Sequence, residues 1–103
     1  MAQFDVYPNP VMPMGEGAPY LVDIQDDGLA ALHTRIVVPL VRPEAVQPLR
    51  RLNPVVEVGG ERLVLVVQNM GAVPRDVLRD RVASLEHRRD DIVAALDFLF
   101  TGI

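Results

Sequence analysis

Polar and apolar residues alternate with a period of two over residues 3–7 (Gln, Phe, Asp, Val, Tyr), which predicts a first strand with one buried face. Pro8, Pro10, Pro13, Gly15, Gly17 and Pro19 follow. Proline has no amide to donate and glycine relaxes the backbone, so a surface loop is expected there. Residues 20–25 and 35–41 read as the second and third strands, the latter rich in β-branched side chains and ended by prolines. Asp26, Asp27 and Gly28 signal a turn between them.

The clearest local pattern lies further on. Residues 55–58 and 62–68 are two β-rich runs joined by Gly59-Gly60, a pair able to take the positive φ angles of a tight hairpin. This hairpin is expected near the centre of the sheet. Residues 43–51 are mixed and allow one short helical turn before Pro48. Residues 70–82, with Gly71 and Pro74, read as a connection with a short edge strand.

Periodicity changes at the end of the chain. Residues 85–100 contain no glycine or proline, and Leu85, Ile92, Leu96, Leu99 and Ile103 recur on one side, which predicts the one long helix. Its other side carries Arg88, Arg89, Asp90, Asp91 and Asp97, with Arg88 in reach of Asp91 one turn later. Strands first and a helix last give a β-rich α+β fold. A small barrel-like sheet is expected, with one C-terminal α-helix whose apolar stripe is covered by that sheet or by a partner.

Length and composition narrow the classes. A chain of 103 residues fits one domain spanning 1–103. Half of the residues are apolar, high for a small monomer, so a buried partner surface and a homodimer are expected. The longest apolar run is too short to span a bilayer and no secretory signal pattern opens the chain, so a cytoplasmic protein without a membrane role is expected. Without cysteine there is no disulfide framework, thiolate metal site or cysteine nucleophile. The net charge of −4 argues against strong direct binding to nucleic acid and favours a basic partner. All ten basic residues are arginine, a bias that suits bidentate anion recognition but is better read as coding composition.

Candidate chemistry is sparse. His33 and His87 stand outside any metal-ligand spacing, and His87 with Asp91 at i,i+4 reads as a surface pair before a catalytic dyad. Val58-Gly59-Gly60 lacks the lysine and glycine spacing of a phosphate loop. Asp26-Asp27 and Asp90-Asp91 are neighbours whose side chains diverge, and they read as solvated turn and helix residues. No catalytic residue, metal or cofactor is expected.

Several blocks taken in order resemble the CcdB toxins. They are Gln3-Phe4 with Val6-Tyr7; Leu21-Val22-Asp23-Ile24-Gln25; Arg35 followed by Pro39-Leu40; Pro54-Val55-Val56 with Gly59 and Glu61; and Val73-Pro74. Leu85, His87-Arg88, Asp91-Ile92, Phe100, Gly102 and Ile103 complete the match. The resemblance implies a homodimeric toxin of a toxin–antitoxin pair on an SH3-like, CcdB/MazF-type barrel. In that family the toxin is no enzyme: it wedges against the DNA gyrase A subunit, stabilises the complex of gyrase with cleaved DNA, and is reversed by the partly disordered antitoxin CcdA. The family's contact centres on a helix tip reading Trp-Gly-Ile, whose aromatic plane stacks on a target arginine.

Here the tip reads Thr101-Gly102-Ile103. Threonine has no stacking face, and losing an anchor aromatic costs roughly 2 kcal/mol, about thirtyfold in affinity. The position one turn earlier, usually Asn in the family, is Asp97, and the apolar pair of the loop between the second and third strands becomes Gly28-Leu29. The resemblance thus nominates Thr101, Gly102, Ile103, Asp97 and Leu29 as target-binding, with Phe100 secondary, since its place on the helix suggests packing or dimer contact. Gly102 has a plain structural role available as a helix cap, and Ile103 could dock on the core. Two alternatives stay open. One is a non-toxic or retargeted interaction protein. The other is a MazF-like messenger-RNA endonuclease, which needs a placed base, an acid and cationic stabilisation that two isolated histidines do not supply.

Overall fold

The computed structural model describes residues 1–10 and 17–102. In it the chain runs through β1 (Asp5–Pro8), β2 (Tyr20–Asp23), β3 (Thr34–Val41), β4 (Val55–Val58), β5 (Glu61–Leu65), β6 (Gly71–Pro74), β7 (Ala83–Ser84) and α1 (Arg89–Thr101). These strands form a nearly closed barrel-like sheet in the order β4-β5-β3-β2-β1-β7, all neighbours antiparallel, with β6 also paired to β3. The fold is the β-rich barrel with a single C-terminal helix that the sequence predicts.

β3 organises the sheet because it is long enough to serve two partners along one edge. Thr34 to Val37 pair with β6, and Leu40 and Val41 pair with β5. Between β5 and β6 the chain takes one 3₁₀ turn over Val67–Asn69, which moves it along that edge. Alternation then sorts side chains to two faces. Val6, Val22, Val38 and Leu40 meet Leu63, Leu65, Leu85, Ile92 and Ala95 in the main core beneath α1, while Tyr7, Leu21, Val37 and Leu78 pack on the other face.

This two-sided burial corrects the reading of the first strand. Asp5, Val6 and Tyr7 are all buried, and the strand begins at Asp5 and not at Gln3 because Phe4 sits in the left-handed region at φ 72°. The second strand ends at Asp23, two residues early. The run expected over 62–68 is a strand only over Glu61–Leu65 before the 3₁₀ turn intervenes. Gly59 and Gly60, at φ 58° and 83°, close the predicted hairpin. That hairpin is not central, however: β4 is the end strand, and β5 joins the sheet through only two residue pairs with β3. Strong local turn chemistry locates a hairpin but carries no information on where it docks.

The short helical turn predicted within 43–51 is the 3₁₀ turn Pro43–Ala45, and the edge strand predicted within 70–82 is β6. The helix starts later than periodicity suggests, because Leu85 leads into a 3₁₀ turn over Glu86–Arg88 before α1 begins at Arg89. Of the predicted first loop, Pro13 and Gly15 lie outside the described residues. No helix among the described residues is long and apolar enough to cross a membrane.

Candidate functional site

The end of α1 is where the candidate residues gather, and its exposure follows from how the helix is fixed. Asp90 and Asp91 occupy the first turn, where carboxylates oppose the helix dipole favourably. Arg88 donates from Nε to Asp91 Oδ2 at 2.9 Å and from Nη1 to the carbonyl of Val55 at 2.9 Å, joining the helix start to β4. The i,i+3 pair expected from sequence is therefore present, and Asp91 answers Arg88 instead of His87. Ile92 and Ala95 are fully buried, and Leu96 and Leu99 pack against the core.

Beyond Leu99 this cover ends. Phe100 is 69% exposed, so of its two expected roles packing within the protomer is minor, and dimer contact is the one a single protomer leaves open. Thr101 is exposed and turns its hydroxyl back to donate to the carbonyl of Asp97 at 2.6 Å. Gly102 takes φ 74° and its amide donates to the carbonyl of Phe98 at 3.0 Å, the left-handed cap that its sequence position suggested. A Cβ added at Gly102 would meet no atom within 4 Å, so the space around the tip is open. Ile103, and its expected role, lies outside the described residues.

One flank of the helix adds a groove of about 480 Å³ lined by Arg51, Pro54, Arg88, Asp91, Ala94 and Asp97. The guanidinium of Arg51, one of the lining residues, lies 4.5 Å from the centre of the Phe98 ring. Asp97 thus lines this groove one turn before the tip, close in sequence to Phe100 and Thr101 but separated from Leu29. Leu29 is 50% exposed at the end of a 3₁₀ turn, Asp27–Leu29. Asp26 caps that turn by accepting from the Gly28 amide at 2.8 Å, and Asp27 accepts from the Gln3 amide at 2.8 Å. Gln3 Oε1 in turn accepts from Arg89 Nη1 at 3.2 Å, so these bonds tie the loop to the start of α1. A helix of 13 residues is about 20 Å long, which puts Leu29 with the opposite end from Thr101 within one protomer.

A buried polar cluster escaped the sequence reading. On the second face of the sheet, Arg35 donates from Nε and Nη2 to Asp23 Oδ2 at 2.8 and 2.5 Å, and Asp23 Oδ1 accepts from the Gln25 amide at 3.0 Å. The two side chains are 1% and 0% exposed. Asp23 faces Val37 in register, and Arg35 lies two residues along on the same side, a diagonal cross-strand pair. An aspartate and an arginine set into otherwise apolar runs of neighbouring strands were the available signal. Tyr7 joins this cluster: burial first, then the carboxylates of Asp5 and Asp23, push its hydroxyl above the ordinary value of 10.0, partly offset by Arg35.

The described residues include no group of three His, Cys, Asp or Glu arranged to hold a metal ion. His33 precedes β3 and His87 lies in the turn before α1, both exposed. The helix end presents an exposed aromatic and a capped glycine, and a groove with both signs of charge runs along the helix flank. Compared with known protein families, the chain matches the model described as CcdB protein over residues 3–102. The match runs from the first strand to the capping glycine, and with the barrel and its C-terminal helix it establishes that this chain belongs to the CcdB family of toxin–antitoxin toxins.

Proposed function

We propose that this protein is a cytoplasmic homodimeric toxin that inhibits a type II topoisomerase by binding the gyrase A subunit, and that a CcdA-like antitoxin reverses it. No bond is made or broken by the toxin in this reading. Its dimer holds a cleaved gyrase–DNA complex by contact alone, through Thr101, Gly102, Ile103, Asp97 and Phe100 at the helix end, with Leu29, from the loop before β3 at the other end of the protomer, as a separate contact. The observation that carries the reading is the 69% exposure of Phe100 beside an open, glycine-capped helix end in a CcdB-family barrel.

Phe100 answers the loss of the family's tip aromatic in chemical kind. It stands one residue before Thr101, and its ring is free to take a cationic or planar group from the target. A flat aromatic beside a glycine also meets the need of an interface centre for a rigid anchor and close approach. The test is direct binding of purified gyrase A subunit to the wild type, to Phe100→Ala and to a chain lacking residues 101–103. Binding by the wild type that falls about thirtyfold in Phe100→Ala and vanishes on truncation supports the assignment. Absence of wild-type binding would sink it and favour the retargeted reading.

A further inference from the structure

Three observations meet at Arg51. It is not glycine, yet it holds φ 70°, a left-handed conformation that its Cβ disfavours. The turn around it is fixed from below by Asn53, which is buried. Asn53 accepts from the Leu49 amide at 3.0 Å and donates from Nδ2 to the carbonyl of Leu65 at 3.2 Å and to Gln68 Oε1 at 2.8 Å. The strained residue is thereby held at one place beside the last turns of α1. From there its guanidinium reaches the Phe98 ring at 4.5 Å.

The helix end needs such a group. Its last turn contains no basic residue, while its carbonyls carry the negative end of the helix dipole. The cation that the loop brings in lies over the face of Phe98, three residues before the end of α1. Phe98 also supplies the carbonyl that the Gly102 amide caps, so the residue under Arg51 is the residue on which the tip closes.

We propose that Arg51 is a positioning residue for the helix tip: it clamps Phe98 and so sets the direction in which Phe100, Thr101 and Gly102 face a target. The proposal rests on the reading of the tip as a binding surface, and its test separates the two. Arg51→Gly is the informative variant because glycine accepts φ 70° without strain while removing the guanidinium, so the fold is retained. Amide hydrogen exchange measured by NMR should rise about two- to fivefold at residues 99–102 in Arg51→Gly, stay unchanged at Ile92 to Ala95, and return toward wild type in Arg51→Lys.

Exchange equal to wild type at residues 99–102 overturns the proposal, as does a uniform rise along the whole helix together with a lower Tm, which would make Arg51 a general stabiliser. In parallel, the dissociation rate from purified gyrase A subunit should rise about two- to fivefold in Arg51→Gly. An unchanged rate despite faster exchange contradicts positioning for binding. A wild type that does not bind gyrase defeats the target assignment alone, since the exchange comparison still decides whether Arg51 orders the tip.

Discussion

The two ends of α1 are built from the same kinds of residue and put to opposite uses. At its start, Arg88 and Arg89 reach down to Val55 and Gln3, Arg89 lies over the ring of buried Phe4 at 5.7 Å, and Leu85 bonds through its amide to the carbonyl of Phe4 at 2.8 Å. At its end a single guanidinium, that of Arg51, lies over Phe98, and the next aromatic stands in solvent. One end carries the helix into the core, where changes are paid for in stability. The other ends in an exposed aromatic and a glycine cap, and changes there should appear in binding. The difference teaches that exposure at this tip is a consequence of anchoring elsewhere and does not arise from a weak fold.

The largest test of that contrast lies beneath the anchored end. Phe4 donates its amide to the carbonyl of Asp23 at 2.6 Å, so the start of the helix rests on the strand that holds the buried Asp23–Arg35 pair. Arg35→Met leaves a carboxylate buried without its cation and should cost about 3–5 kcal/mol in urea denaturation. A loss under about 1 kcal/mol would mean that the pair is not holding this face together.

Next in size is Phe100→Ala at the open end. It should weaken target binding by about 2 kcal/mol while changing unfolding free energy by less than about 0.5 kcal/mol. If both quantities fall together, the two ends are not functionally distinct. Gly102→Ala sits between these behaviours. Space around it is open, but φ 74° penalises any Cβ, so about 1 kcal/mol should be lost locally, seen as faster exchange of the last turn without a change at Ile92.

The smallest effect is a pH dependence of the buried cluster. Because the Tyr7 hydroxyl titrates above its ordinary value of 10.0 in the folded chain, its contribution is complete below about pH 10. Above that, the unfolded chain ionises first and stability declines until the folded hydroxyl ionises too. Tyr7→Phe should flatten this alkaline decline in denaturation curves taken at several pH values between about 9 and 11. An equal slope in both proteins would assign the decline to other groups.

Much of this architecture was legible because it is written in local chemistry. The Gly59-Gly60 hairpin, the β-branched third strand and the Leu/Ile periodicity of the last segment each follow from neighbours in sequence. The position of that hairpin at the end of the sheet was not, since docking depends on partners far along the chain. Nor was the left-handed turn at Phe4, which shortens the first strand although the alternating pattern continues through it. At the candidate site, Asp97, Phe100, Thr101 and Gly102 were reached through family resemblance. The exposure of Phe100 and the inward bond of Thr101 are not written in the sequence, because an apolar residue at a helix end reads the same whether it is covered or bare. Arg51 and the Asp23–Arg35 pair were missed because each acts on a partner in another element.

The central claim is that the bare end of α1 acts on gyrase by contact. Its most direct test is a DNA-cleavage assay with purified gyrase and supercoiled plasmid, comparing the wild type with Phe100→Ala and with the chain lacking residues 101–103. Trapped cleaved DNA with the wild type, reduced by Phe100→Ala at wild-type Tm and absent after truncation while the truncated chain stays folded, is the predicted result. Wild-type protein that leaves gyrase cleavage unchanged, or cleavage that persists without the tip, would contradict it.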